Sequence, residues 1–321
     1  MKAPCLTYAG NAEECECRRV YDAVSAVPLK IKILRRMAMA LPRFYRPWVL
    51  ALFFLVFTCL ASAQPQQGAG GYQPEEGQSG KDVVWIPTED VLVDIMLNMA
   101  NVTGKDYVVD LGSGDGRLVI AAAKRGARAL GVEYNPQMVE LSKKNAVLHG
   151  VADKVQFIHA DLFDVDFSQA TVVTMFLLDE LNLKLRPRLL DMKPGTRVVS
   201  NTFMMGEWKP DQIGSVPAER KCAYYCFASL WIVPAKVEGT WKLGSRELTL
   251  EQRFQMISGE LKSGARVEPI KEGVLKGDQI SFIAGETHYT GRVDGNRMQG
   301  TLVSGKKSTG WSAQRIGYAL K

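Results

Sequence analysis

One stretch constrains the fold of this chain more than any other: DLGSGDGR at 110–117. A short Val/Leu run from Tyr107 to Leu111 leads into it, and a small-residue run from Arg117 to Lys124 leaves it. Gly112, Gly114 and Gly116 permit backbone angles closed to other residues, so the chain can turn sharply from strand to helix. Such a turn also aims the helix's first N–H groups over the strand's carboxyl end. The flanking sequence repeats the alternation. Further strands are expected at 129–133, 155–159, 170–178 and 197–203, with helices at 136–148 and 181–192, the last kinked or shortened by Pro187. Ahead of the turn, Val91, Leu92, Ile95, Met96 and Met99 form a helical stripe, with Thr88 as its expected cap. Val/Ile/Leu strands alternating with helices predict an α/β fold, a parallel sheet covered by helices on both faces.

The pattern changes after Pro234. Segments 247–254, 279–284, 288–293, 298–303 and 311–315 alternate polar and apolar residues, with turns such as Asp294-Gly295-Asn296 between them. This predicts a small antiparallel β meander or half-barrel. Domain boundaries follow: a sheet domain over 83–235 and an all-β domain over 236–321. Residues 64–82, rich in Gly, Gln and Pro, are expected to be a flexible linker, with order beginning near Val83.

Charge separates the amino-terminal segment from the rest. Of 40 Lys and Arg and 34 Asp and Glu, residues 1–63 hold 9 and 4, which leaves a nearly neutral body of 31 and 30. A near-neutral body argues against a nucleic-acid partner. Residues 48–60, WVLALFFLVFTCL, follow Arg43 and Arg46 and precede Ala61-Ser62-Ala63. A run of about 13 apolar residues is short for a bilayer span and fits a signal-peptide core with an A-x-A cleavage site. Residues 37–63 are therefore expected to be a signal peptide or signal anchor, and 1–36 an upstream extension of the reading frame. The arginines before the run direct the body outside the cytoplasm, with membrane contact only through 48–60 if that segment stays uncleaved. Cys222 and Cys226 are the only cysteines after the cleavage site. Read as part of a strand they would lie about 13 Å apart, beyond disulfide reach. Two buried free thiols are expected, and no zinc-ligand spacing is present.

The chemistry is carried by carboxylates at strand ends. A dinucleotide fingerprint needs a third Gly where Arg117 stands. G-x-G-x-G after an acidic residue suits S-adenosylmethionine better. Asp110 can serve the ammonium of its amino-acid tail. The turn Gly112, Ser113, Gly114 and Gly116 approaches it closely. Glu133, ending the second strand, can take both ribose hydroxyls. Asp161, after the third, can accept from the adenine amino group, and Leu162 can pack on the ring. Strand carboxyl ends are where open α/β sheets bind ligands. No metal is required.

With these residues in place, 83–211 resembles a class I S-adenosylmethionine-dependent methyltransferase domain. More narrowly it is similar to bacterial relatives of the mitochondrial ATP-synthase c-subunit lysine methyltransferase family. The narrower resemblance rests on Ile86-Pro87-Thr88, DLGSGDGR, ATVVT at 170–174 with Leu177-Leu178, Leu185-Arg186-Pro187, KPGTRVVS at 193–200, and Met205-Gly206, Trp208 and Pro210-Asp211. It implies a Rossmann-like sheet and methyl transfer by in-line displacement to an unidentified acceptor, a protein lysine or a small molecule. The chain departs from the family where Phe176 replaces an aromatic hydroxyl, Asp179 a Pro, and Asn201 a His. Phe176, Asp179 and Asn201 are the acceptor-side candidates, with Glu180 and the 85–88 entrance beside them, so lysine specificity does not carry over from the resemblance. A different class, an exported non-catalytic S-adenosylmethionine- or nucleoside-binding protein whose β domain mediates the interaction, is disfavoured by the intact set Asp110, Gly112, Gly114, Glu133 and Asp161. S-adenosylmethionine is made in the cytoplasm, which sits awkwardly with export.

Overall fold

The computed structural model describes residues 72–317 apart from Lys221. The expected extension at 1–36 and signal segment at 37–63 lie outside the described residues. Seven strands form one sheet in the order β3-β2-β1-β4-β5-β7-β6. They are β1 (Tyr107–Leu111), β2 (Arg128–Glu133), β3 (Val155–His159), β4 (Val172–Met175), β5 (Arg197–Asn201), β6 (Gln212–Ser215) and β7 (Phe227–Ile232). The first five run parallel, and β7 lies antiparallel between β5 and β6.

Consecutive residues of a strand face opposite sides, and the core shows it. Val108, Ala129, Val172 and Val199 pack on one face against helices α1 (Asp90–Met99), α2 (Arg117–Lys124) and α3 (Pro136–Leu148). Val109, Leu130, Val173 and Val198 pack on the other, against Leu181, Leu185 and Leu189 of α4 (Asp179–Leu190). Strand order reverses at β1 and β4, so their outgoing loops diverge and open a crevice at the carboxyl edge of the sheet.

Local details differ from the sequence reading. Thr88 does not cap α1, whose N-cap is Glu89. Its hydroxyl accepts from Asn201 Nδ2 (3.2 Å) and its carbonyl from Arg117 (2.7 Å). Helix α4 begins at Asp179 and runs through Pro187, which falls in its last turn. Structure begins before Val83. Residues 72–88 form a strap in which the Gly77 amide donates to the Trp85 carbonyl and the Trp85 amide to the Gln78 carbonyl. The Gly/Gln/Pro composition suggested a linker because the strap orders through backbone pairing rather than apolar burial.

The cysteine reading is overturned. Cys222 and Cys226 form a disulfide, with Cα atoms 5.7 Å apart. The segment is a bent loop rather than a strand, and β7 starts only at Phe227. The bend removes the 13 Å spacing on which the expectation rested.

Beyond β7 the chain forms a closed eight-stranded antiparallel barrel, in the order β10-β11-β12-β13-β14-β15-β8-β9. Its strands are β8 (Gly239–Leu243), β9 (Arg246–Arg253), β10 (Met256–Ser263), β11 (Arg266–Lys276), β12 (Gln279–Ala284), β13 (Thr287–Asp294), β14 (Arg297–Ser304) and β15 (Lys307–Gly317). Closure leaves no unpaired edge. The interior is filled by side chains, among them Trp241, Leu248, Phe282, Tyr289 and Trp311. Gly291 and Gly300 pair across β13 and β14. A Cβ on Gly291 would lie 2.9 Å from the Trp311 ring, so the bare backbone there makes room for the indole.

Candidate functional site

A cleft of about 370 Å³ lies at the carboxyl edge of β1, β2, β3 and β4. Its floor is the glycine turn. Gly112, Gly114 and Gly116 have φ of 84°, 54° and 84°, in the region that favours glycine. Helix α3 fixes the turn from below: Ser142 donates to the Gly114 carbonyl (2.8 Å) and Asn145 to that of Asp115 (2.9 Å). A Cβ on Gly114 would meet Trp85 Nε1 at 2.6 Å, so the strap's indole closes on the turn where no side chain intervenes. Arg117, which breaks the dinucleotide fingerprint, forks onto Asp115 (Nη2–Oδ2 2.6 Å) while holding the Thr88 carbonyl. It thus joins the strap to the turn.

Two carboxylates meet over this floor. Asp110 is 2 % exposed, and the Thr174 hydroxyl donates to it at 2.6 Å. Burial pushes its carboxyl up to about 7, against the Thr174 bond, and the charges of Glu133 and Asp115 push the same way. No ion pair to Asp110 forms among the described residues. A buried carboxylate that lacks a counter-charge is costly when ionised, and a ligand cation supplies what is missing. Glu133 accepts from the Gly114 amide through Oε2 (2.9 Å) and from the Asn135 amide through Oε1 (2.8 Å). Each carboxylate oxygen has a second lone pair, so both retain room for a ligand hydroxyl.

Ser113 is buried, and its hydroxyl has no partner. Gly116 lies behind the cleft wall, packed on Phe157 and Ser142. Asp161 and Leu162 line the cleft beyond β3. Asp161 departs from the open acceptor expected of it: its carboxylate holds the Lys81 ammonium and the Phe163 amide (2.9 Å). Lys81 also stands 5.0 Å from the Tyr134 ring centroid. The strap thereby covers this end of the cleft.

Of the three acceptor-side candidates, only Phe176 lines the cleft. Asn201 is fully buried beneath Thr88. Asp179 is exposed at the start of α4 and accepts from the Met204 amide (2.6 Å). Their places in the wall are taken by Phe203 and Tyr225, which sequence reasoning missed. The three rings touch, with centroids 5.1 Å (Phe176–Tyr225), 6.0 Å (Phe176–Phe203) and 6.1 Å (Phe203–Tyr225) apart. Tyr225 is the one tyrosine among these three rings. The CAYYC string around it was the available signal.

Known proteins resemble the part of the chain that carries this cleft. The model of the ANTKMT methyltransferase domain matches residues 110–212. A protein-lysine N-methyltransferase of Saccharolobus islandicus is 42% identical over 134 residues, which cover 41% of this chain and 83% of that enzyme. The chain belongs to this methyltransferase family. It is an S-adenosylmethionine-dependent methyltransferase, and the buried Asp110 carboxylate without a counter-charge suits the charge of that cofactor's ammonium. The human lysine N-methyltransferase of the ATP-synthase c-subunit is 38% identical over 118 residues, 36% of this chain and 51% of that enzyme. The chain thus spans most of the archaeal enzyme and about half of the human one. An RNA methyltransferase from Salinibacter ruber, solved with S-adenosyl-L-homocysteine, is 45% identical and covers 47% of this chain and 96% of its own, with a TM-score of 0.44. The matches to the two lysine methyltransferases are too short to reach through the barrel as well as the sheet domain.

Proposed function

We propose that this methyltransferase acts on lysine side chains of protein, outside the cytoplasm. The observation that carries the methyl-transfer part of the reading is the buried Asp110 carboxylate without a counter-charge, set beside Glu133 at the reversal of strand order. Asp110 and the glycine turn would hold the amino-acid tail of S-adenosylmethionine, Glu133 its ribose, and Asp161 with Leu162 its adenine. The strands stand in the order β3-β2-β1-β4-β5, so these groups run in sequence toward the aromatic wall after β4 and β5. Bound there, the cofactor supplies an electrophilic methyl group.

The chain's own contribution is placement and desolvation. Holding two reactants close and aligned can supply roughly 7–11 kcal/mol of barrier reduction. A lysine must shed its proton before it can attack, and an apolar mouth favours the neutral amine. Phe176, Leu177, Leu178, Phe203 and Tyr225 form such a mouth. A lysine acceptor is supported by the names of the two lysine methyltransferase relatives. Export is supported by the apolar run at 48–60 with arginines ahead of it, and by the disulfide, since disulfides persist in oxidising compartments.

The test is transfer of methyl-labelled cofactor to total envelope protein, followed by amino-acid analysis. Label in methylated lysine is expected. Label confined to nucleic acid, to small molecules or to other side chains would overturn the lysine assignment. A reporter active only in the cytoplasm, fused after Gln64, is expected to stay silent, and activity there would overturn export.

A further inference from the structure

The Cys222–Cys226 disulfide closes a loop of five residues between β6 and β7, and nothing in the methyl-transfer chemistry uses it. Inside the loop the two tyrosines part company. Tyr224 is 79 % exposed, whereas Tyr225 lines the cleft and packs edge-on against Phe176. Tyr225 holds this place with φ of 56°, a left-handed conformation that an aromatic residue adopts only when its surroundings impose it. Thr202, beside Phe203, has φ of 59°. Its amide donates to the Phe227 carbonyl (2.9 Å), and the Val216 amide donates to that of Cys226 (2.8 Å). Two constrained non-glycine residues therefore flank one aromatic wall, and uncommon backbone conformations gather at ligand clamps. Among the described residues this is the only disulfide, and the chain ahead of the loop, Ala218–Arg220, is a short exposed 3₁₀ turn.

We propose that Tyr225 is the acceptor-positioning residue of this enzyme and that the Cys222–Cys226 bond holds its ring against Phe176. The inference rests on the proposed acceptor end of the cleft and goes beyond it by assigning a role to a loop outside the cofactor residues. Opening the bond adds two electrons and two protons and leaves two thiols, while a dithiol reductant is oxidised to its cyclic disulfide. With the loop open, Tyr225 relaxes from its left-handed conformation and leaves the wall. The cofactor groups at β1, β2 and β3 are untouched by that movement.

Two readouts on the purified full chain separate this inference from the reading it rests on. The first is nitration of tyrosine by tetranitromethane. In the oxidised protein Tyr224 is expected to react and Tyr225 to be protected. After dithiothreitol treatment, or in Cys222→Ser/Cys226→Ser, Tyr225 should react like Tyr224. Unchanged protection of Tyr225 would overturn the inference. The second is labelling of total envelope protein by methyl-labelled cofactor. In the reduced enzyme, the double-serine variant and Tyr225→Ala, the acceptor concentration for half-maximal labelling should rise at least tenfold. Tyr225→Phe should restore most of it, and affinity for S-adenosylhomocysteine should stay within twofold throughout. Equal acceptor dependence in all forms would overturn the positioning role. If the oxidised enzyme labels no protein, the protein-acceptor reading fails, and the nitration result alone then decides whether the bond holds the ring.

Discussion

Asp110 ties the cofactor site to pH. Its carboxyl is pushed up to about 7 by burial, so in the free enzyme it titrates in the neutral range rather than the acidic one. A bound ammonium favours the ionised form and draws its titration back toward the ordinary range. Cofactor binding should then release a proton near pH 7, and affinity should fall about tenfold per unit of pH below it. Calorimetry in buffers of different ionisation enthalpy, from pH 5.5 to 8, checks both. A pH-independent affinity would show that Asp110 does not face the cation. The sign for stability is the reverse of the usual carboxylate case. Because the folded form holds its proton more tightly than the unfolded one, this residue favours folding most at low pH, and that contribution is lost as pH rises through about 7. Glu133 makes a different prediction. Glu133→Ala removes the partner of the Gly114 and Asn135 amides and, on the proposed reading, the acceptor for the ribose hydroxyls. Affinity for S-adenosylhomocysteine should weaken at least tenfold, about 1.4 kcal/mol. At this scale the sequence was readable for position: Asp110 and Glu133 were expected at strand ends beside a glycine turn, and both line the cleft there. It misled where one side chain can serve two elements. Asn201 and Asp179 follow the right strands, yet one bonds the strap and the other a loop amide.

Elements were legible in proportion to the regularity of their burial. The parallel strands read clearly because both faces are covered, so Val-Val pairs such as 108–109 and 172–173 stand out. Barrel strands β12 and β13 alternate cleanly and were also expected. Strands β10 and β11 were not, and each carries a reason. Register shifts between Ile257 and Glu260 and between Lys271 and Val274. Pro269 and Gly273 sit within β11, and Gly259 within β10. Bulges displace side chains from one face to the other, which erases the alternation a sequence reader counts. The strap was missed because its order comes from backbone bonds and from Lys81 on Asp161, neither of which has a periodicity. That pairing also carries a prediction. The Lys81 ammonium is exposed, and its titration is raised chiefly by the hydrogen bond to Asp161. Exposed ion pairs contribute little to folding, so Lys81→Ala should leave the melting temperature nearly unchanged. It should instead loosen residues 78–84 and hasten cofactor release. Hydrogen exchange over the strap and stopped-flow release of S-adenosylhomocysteine read the two effects. Slower release would mean that Lys81 blocks the adenine end rather than covering it.

At the scale of the whole molecule the sheet and the barrel have separate cores joined by a small set of contacts. The β9–β10 turn reaches the sheet domain, where Phe254 stacks on Trp208 at 6.2 Å, Arg186 covers Phe254 at 5.4 Å, and Gln255 donates to the Lys209 carbonyl (2.8 Å). The β11–β12 turn adds the Gly277 carbonyl, which accepts from the Ala235 amide (2.8 Å), and Gly277 abuts Gly195. These contacts gather at the amino-terminal end of β5, away from the cleft, whose lining ends at Tyr225. Stability and cofactor binding should therefore separate. Trp241 is fully buried in the barrel, and its indole donates to the Val237 carbonyl (2.8 Å). Trp241→Ala should destabilise the barrel by about 3–5 kcal/mol, and Phe254→Ala, at a half-buried site, by about 2 kcal/mol. Neither should change affinity for S-adenosylhomocysteine by more than about twofold, since neither side chain lies near the cleft. Urea unfolding followed by tryptophan fluorescence gives the first quantity and calorimetry at low denaturant the second. In Phe254→Ala the two cores should also melt less cooperatively, because the ring joins the barrel's β9–β10 turn to Trp208 of the sheet core. A cofactor affinity that fell with barrel stability would instead make the barrel part of the catalytic unit, transmitting its state through Trp208 and the loop after β5 to the aromatic wall.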